Sequence, residues 1–467
     1  MALLPFADAA SVELPLGRLL RLALFQVSVG MAMVLLSGTL NRVMVVELGT
    51  PTWLVALLIA IPLVIAPFRA LIGHKSDTHV SALGWRRVPY IWFGTLMQFG
   101  GLAFMPFALL HLSRPDTFTL GLIAAGVSFL LTGTGFHVTQ TAGLALATDL
   151  APAEKRPRAV ALLYVMLLVG MMLAAFVIGG LLIEFTPMRL VQVIQASAVL
   201  TLILNTVALW KQEARSPERT RRLREDETPP PTFGELWNGF VGNGRNTRLL
   251  IAIGIGAAGF AMQDALLEPY GGEILGLSVG ATTSLTGAWA LGALIGFVLS
   301  GRQLSRGGDP LRIAGAGLVT GLAAFLLVLF AAPFDSPAML FAGAVAIGLG
   351  LGLFSVGTLI EAMNLAKSET AGLALGAWGA VQASCAGAGI AFGGVLRDGI
   401  AYYAITAQPD AAIATRATGY TSVYVIEMIL LLAGLAAIGP LVGRNRTNEF
   451  TKRDSAADSF GLQEFPT

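Results

Sequence analysis

His137 and Gln140 stand three residues apart, flanked by Thr134 and Thr141, within an otherwise apolar run. On a helix that spacing puts an imidazole and an amide one turn apart. A neutral imidazole can give a lone pair to a metal, and an amide offers both a donor and an acceptor. Far along the chain, Trp378 and Gln382 lie four apart and share a helix face, an aromatic wall beside a polar contact. Trp378 and Gln382 would suit a large planar ligand. Each would equally serve as a hydrogen-bonded packing residue.

Trp378 and Gln382 belong to "AGLALGAWGAVQASCAGAGIAFGG" (371–394), which has seven Gly and eight Ala in twenty-four positions and no charge. Small residues four apart, at Gly372/Gly376, Gly379/Ala383 and Ala383/Gly387, let another surface reach the backbone. That surface is either a neighbouring helix or a planar ligand, and composition leaves both open.

The charged candidates are few. Asp264 and Glu268 lie four apart on one helix face, and Arg42, Glu361 and Glu427 fall within or at the ends of apolar runs. The sequence predicts that Arg42 pairs with Glu268 or Asp264 as an outer gate, within one Debye length of about 8 Å; the alternative is that each caps a helix end separately. No nucleophile–base pair, phosphate loop or metal-ligand cluster is visible, and His74 and His79 share a loop without other ligands. An enzyme is not expected. Cys385 is the single cysteine, so no intrachain disulfide can form.

The elements that must position these residues follow from composition. The 467 residues are 55% hydrophobic and 12% charged, with a mean hydropathy of +0.73. Long uncharged runs recur, each near the roughly 20 residues that cross a bilayer core. The reading is an all-α polytopic membrane protein, so the small net positive charge says nothing of nucleic acid, and the contacting solvent is lipid. Twelve helices are predicted, at 19–41, 53–72, 88–111, 117–147, 159–183, 189–210, 249–269, 279–300, 312–332, 338–362, 371–396 and 421–442. "TGTGF" at 132–136 is the expected site of a bend in the fourth. No cleavable signal peptide is visible.

Lys and Arg orient the helices. With both termini cytoplasmic, inside segments carry twenty-four of them and outside segments five. The expected organisation is a tail at 1–18, six helices at 19–210, a cytoplasmic linker at 211–248, six helices at 249–442 and a tail at 443–467. In the linker, Thr232 and Glu235 form a capping-box pair, and Phe233, Leu236, Trp237 and Phe240 follow at helical spacing. A surface helix at 232–241 is expected, lying on the membrane or on the protein's own cytoplasmic face.

The halves repeat. "DLAPAEKRPRA" (149–159) aligns with "NLAKSETAGLA" (364–374), each after the fourth helix of its half. Two parallel six-helix repeats are a known transporter architecture, of the major facilitator superfamily type. "GHKSDTHVSALGWRR" (73–87) resembles that superfamily's signature loop through Gly73, Asp77, Gly84, Arg86 and Arg87. By that resemblance, Gly73, Asp77, Arg86 and Arg87 with Glu154, Arg156 and Arg158 would hold a cytoplasmic gate closed; ordinary inside-positive charge explains the same residues. Ser305 stands where the second half should match Asp77.

Longer stretches carry a narrower resemblance: "GRLLRLALFQVSVGMAMVLLSGTLNRVMVVELG" (17–49), "APFRALIGHKSDTHVSALGWRRVPYIWFGTLMQFGGLAFMPFALL" (66–110), "ALATDLAPAEKRPRAVALLYVMLLVGMM" (145–172) and "AGLALGAWGAVQA" (371–383). They resemble the PucC/LhaA family, the bacteriochlorophyll-delivery branch of the superfamily. The resemblance implies an assembly factor for a light-harvesting antenna (LH1 or LH2) that carries bacteriochlorophyll transiently to newly inserted antenna polypeptides. Reaction-centre core and pigment-synthesis enzymes are further partners of that kind, and the location implied is a photosynthetic (intracytoplasmic) inner membrane. Such a pigment takes a neutral axial donor on its magnesium, so His137 is a candidate ligand, with Gln140, Trp378 and Gln382 around it. The alternative is a proton-coupled small-molecule transporter, which Asp264, Glu268 and Glu361 would serve.

Overall fold

A computed structural model describes residues 14–65, 85, 87–152, 155–213, 244–365, 371–407 and 416–442. Gly73, Asp77, Arg86 and Glu154 of the expected gate lie outside them, as do the surface helix at 232–241 and most of both tails.

Backbone N–H and C=O groups find no water in lipid, so each apolar run closes its own hydrogen bonds as a helix. The described residues form α1 (Leu16–Glu47), α2 (Thr52–Ile65), α3 (Val88–Leu112), α4 (Phe118–Leu150), α5 (Arg156–Leu181), α6 (Pro187–Leu209), α7 (Gly244–Glu273), α8 (Val279–Ser305), α9 (Pro310–Ala331), α10 (Pro337–Leu365), α11 (Ala371–Ala407) and α12 (Arg416–Ile438). Eleven are long and apolar enough to cross a membrane, and α2 is a shorter apolar helix. Several start on a hydroxyl or carboxylate followed by proline. Thr186 accepts from the Arg189 amide at 3.1 Å and Asp309 from the Leu311 amide at 2.9 Å, each with Pro at the first helical position. The cap satisfies an amide with no partner in the helix, and proline has none to lose. Hence α6 and α9 begin two residues earlier than hydropathy alone predicts.

Close packing rests on small residues. A Cβ on Gly94 would stand 2.7 Å from the Gly135 carbonyl oxygen, and one on Gly135 would meet the Gly94 carbonyl 2.6 Å away. The "TGTGF" stretch therefore does not break α4, which runs as one helix from Phe118 to Leu150. Gly135 brings α3 and α4 together, and Gly133 packs against Pro62 of α2. The interruptions fall instead in α1 and α7. α1 turns π-helical over Val34–Leu40 and Val43–Glu47, and α7 tightens to a 3₁₀ turn over Met262–Ala265.

Inside α1–α6 the polar groups satisfy one another. Ser28 donates to Asn205 Oδ1 (2.7 Å), Asn205 Nδ2 donates to Thr95 (2.8 Å), and Gln98 Nε2 donates to the Ser28 carbonyl (2.9 Å). All four side chains are fully buried. Asn205→Leu removes two interhelical bonds and leaves Ser28 and Thr95 only their own-helix carbonyls, Phe25 at 2.8 Å and Ile91 at 2.7 Å; such membrane hydrogen bonds contribute about 0.6–2 kcal/mol each. Reversible unfolding in detergent should show a loss of that size; an unchanged midpoint would refute the relay's importance.

Among the described residues the first and last six helices meet where α2 lies along α11 and α5 along α8, and near the α1–α2 connection Gly179 meets Gly280 and Gly394 meets Trp53. Large apolar side chains such as Phe93, Ile123, Val177 and Tyr402 face outward and are exposed, as a lipid solvent requires.

Candidate functional site

α4 carries His137 and Gln140 into the interior of the first six helices, where they are 6% and 7% exposed. Gln140 Nε2 approaches Gln26 Oε1 at 3.4 Å, and Thr141 donates to the His137 carbonyl at 2.8 Å. The imidazole lies 4.5 Å, centroid to centroid, from the Phe136 ring. Other buried polar side chains of α1, α3, α4 and α6 include Ser28, Thr95, Gln98, Thr132, Thr139 and Asn205, none of these ionisable.

Trp378 and Gln382 sit in the other half and bond to α10. Trp378 Nε1 donates to Thr358 at 3.1 Å, and Gln382 Nε2 to Ser355 at 3.3 Å. Both are partly exposed. Sequence spacing thus pairs residues correctly within each helix, while each pair is bonded within its own half.

The small-residue helix divides in two. Towards its C-terminal side it is a packing seam: a Cβ on Gly387 would stand 2.9 Å from Leu63 Cβ, and one on Gly394 would lie 3.1 Å from Trp53 Cα. Gly389 and Gly393 serve α7 in the same way, against Ala258 and Met262. Among the described residues, a Cβ on Gly379, between Trp378 and Gln382, would meet nothing within 4 Å. The neighbouring-helix reading therefore holds for 387–394, and no described residue covers Gly379.

At the expected outer gate Arg42 acts electrostatically on Glu268 without a direct ion pair. Arg42 pairs with neither Asp264 nor Glu268: its guanidinium bonds Glu47 Oε1 at 2.6 Å and the Leu277 carbonyl at 3.2 Å. The π-helical turn explains the choice, because a π-turn aligns residues five apart where an α-turn would not. Glu268 Oε1 instead accepts from Thr286, and the Asp264 carboxylate accepts from the neighbouring Gln263 amide. Arg42 still reaches the last six helices through Leu277.

The strongest closure at that end was missed. Arg397 bonds Glu273 and Asp398 (2.7 Å), donates to the Tyr420 hydroxyl at 3.0 Å, and stands 4.3 Å above that ring. Asp398 also accepts from the Trp53 amide at 2.8 Å, so a carboxylate of α11 caps the N-terminus of α2. An Arg–Asp dipeptide inside an apolar run was the available signal.

Of the expected cytoplasmic gate, Arg87, Arg156 and Arg158 are described. Arg87 pairs with Asp149 at 3.0 Å, and Arg156 Nε donates to the Thr148 carbonyl at 3.0 Å, all within the first six helices. Arg158 lies in the first turn of α5. Glu213 accepts from the Arg87 and Val88 amides and so caps α3 (3.0–3.2 Å). Glu361 is matched by Arg245 at 2.8 Å.

Known proteins resemble this chain at two levels. A solved structure of a bacterial homolog to the human lysosomal transporter Spinster, inward-facing and unoccupied, superposes with a TM-score of 0.63 at 17% identity, covering 90% of this chain and 95% of that one. This likeness shows a transporter fold of the major facilitator type. Protein PucC of Rhodovulum sulfidophilum is 56% identical, over 85% of this chain and 88% of its own. A Rhodobacter capsulatus protein called "Uncharacterized protein in puhA-bchM intergenic region" is 51% identical over all of this chain and 98% of its own. A more distant relative from that species, the "Bacteriochlorophyll synthase 44.5 kDa chain", is 28% identical over 90% of this chain and 95% of its own. Residues 39–446 match the family described as PUCC protein, and the chain belongs to that family.

Proposed function

We propose that this protein is an assembly factor for a bacterial light-harvesting complex, LH1 or LH2, that binds bacteriochlorophyll in the membrane and delivers it to antenna polypeptides. Family membership supports the antenna context, and one relative's name supports the pigment. The observation that carries the reading is the burial of His137 and Gln140 on one helix, with the neutral Gln26 amide facing Gln140. A magnesium-centred ring takes an uncharged axial donor, and a carboxylate there would bear a burial cost with no gain. The face at Gly379, beside Trp378 and Gln382, which no described residue covers, supports a planar contact. In this reading the protein is not an enzyme, resides in a photosynthetic inner membrane with both termini cytoplasmic, and contacts antenna polypeptides, reaction-centre core and pigment-synthesis enzymes. The gate of Gly73, Asp77, Arg86, Arg87, Glu154, Arg156 and Arg158 closes its cytoplasmic side.

The test is purification from a phototroph lacking all antenna polypeptides, followed by a near-infrared spectrum. A stoichiometric bacteriochlorophyll band is expected, shifted or weakened at least several-fold by His137→Ala. A colourless, folded protein would refute the carrier role. A second reading, proton-coupled transport of a small molecule, is favoured by the buried Glu268 and Glu427; uptake into vesicles under a pH gradient, without pigment, would establish it instead.

A further inference from the structure

The break in α7 gathers acids that the pigment reading does not use. Glu427 of α12 is completely buried, and no side chain among the described residues hydrogen-bonds its carboxylate. It faces the Gln263 backbone and the Asp264 carboxyl, at the 3₁₀ turn. Glu268, one helical turn further on, is 3% exposed; Oε1 accepts from Thr286 and Oε2 has no partner. Asp264 between them is partly exposed.

The nearby cations are committed elsewhere. Arg42 of α1, which acts electrostatically on Glu268, is bound to Glu47, and Arg397 of α11 is bound to Glu273 and Asp398. The other titratable groups facing this region are Tyr270, Tyr420 and Tyr424. α9 offers only Arg312 in its first turn, and α10 only Glu361, already matched by Arg245. Three carboxyls therefore gather at the α7 break with no direct ion pair among the described residues, Arg42 acting on Glu268 only at a distance. An ionised carboxylate there costs several kcal/mol, which a bound proton removes. Among the described residues no three His, Cys, Asp or Glu converge as a metal's ligand set, so the chemistry on offer is that of single acids.

We propose that Asp264, Glu268 and Glu427 form a proton-binding site at the α7 break, and that its protons hold the two halves together at the α1–α2 end. The coupling is geometric. The π-helical turn of α1 docks on this site: a Cβ on Gly38 would lie 2.6 Å from Glu268 Oε1, and Asn41 Nδ2 points at the Asp264 carbonyl 3.5 Å away. Thr39 meets Thr283 of α8 beside them at 3.1 Å. A neutral Glu268 fits against dry α1 backbone, whereas an ionised one demands water and drives α1 and α7 apart. Discontinuous helices whose ends and freed backbone serve a coupling ion are a recurring transporter device. The inference holds whatever cargo the protein carries.

Infrared spectroscopy of the full-length protein in bilayers reads the site directly. At neutral pH a protonated-carboxyl carbonyl band, sensitive to deuterium exchange, is expected, and Glu427→Gln and Glu268→Gln should each remove one acid's share. Spin labels across α2 and α11 should report separation as pH rises in the native protein and a pH-independent closed distance in Glu268→Gln. No protonated-carboxyl band, or a band untouched by all three of D264N, E268Q and E427Q, would overturn the proposal. So would loss of the band on adding sodium at constant pH, which would assign the site to an alkali cation. If a variant fails to fold, the native band and its deuterium shift still decide.

Discussion

Arg397→Ala is expected to destabilise the protein by about 3–5 kcal/mol, the range for removing one partner from a buried ion pair. Arg397 is 9% exposed and ties Glu273 at the end of α7, Tyr420 of α12 and Asp398 of its own helix into one cluster. Its removal leaves the Glu273 carboxylate with a tyrosine hydroxyl, 3.0 Å away, and no positive charge. It also frees Asp398, whose bond to the Trp53 amide joins the two halves. Arg397→Lys should recover the charge but only part of the stability, because an ammonium cannot offer the planar fork that spans two carboxylates. Reversible unfolding in detergent measures both variants. A loss below about 1 kcal/mol, the worth of an exposed pair, would show that water already reaches the cluster.

Gly394→Leu is expected to force α2 and α11 apart. A first side-chain carbon at 394 would crowd Ala56 Cβ and lie 3.1 Å from Trp53 Cα and 3.2 Å from the Thr52 carbonyl oxygen. Two of these are backbone atoms of a helix, which cannot swing aside as a side-chain end would. Overpacking of this kind costs about 1–3 kcal/mol, and here it has an alternative to unfolding: separation of the halves at the α1–α2 end. Spin labels on α2 and α11 should show a longer, broader distance distribution, with the overall fold intact by circular dichroism. Gly379→Leu is the contrast. With nothing among the described residues within 4 Å, it should leave stability within about 0.5 kcal/mol while lowering co-purified pigment, if the Trp378–Gln382 face receives it. Unchanged label distances in Gly394→Leu would remove the seam from the closing mechanism.

Much was legible in residues alone. Twelve apolar runs became twelve described helices, because lipid leaves a polar backbone no other partner. The small residues at 387–394 correctly announced a close approach, since a glycine's lack of a side chain is a local property. The relation of His137 to Gln140 was likewise readable, because helical spacing is local too.

Which group each charge would meet was not. Arg42 could reach Glu47, Asp264 or Glu268 on hydropathy and depth, and a local change from α to π geometry selected Glu47. That change depends on how α1 packs against α7, which no run of residues encodes by itself. In the same way "TGTGF" suggested a bend in α4, whereas the departures from α-helical geometry lie in α1 and α7, at Val34–Leu40, Val43–Glu47 and Met262–Ala265. Sequence by itself determined the helices, their number and the family, because burial of backbone and matching of motifs are properties of single segments. Only the tertiary structure decided the pairings of Arg42, Arg397 and Asp398 and the isolation of Glu427, because a charge's partner in a bundle is set by the rotation and depth of helices far apart in the chain.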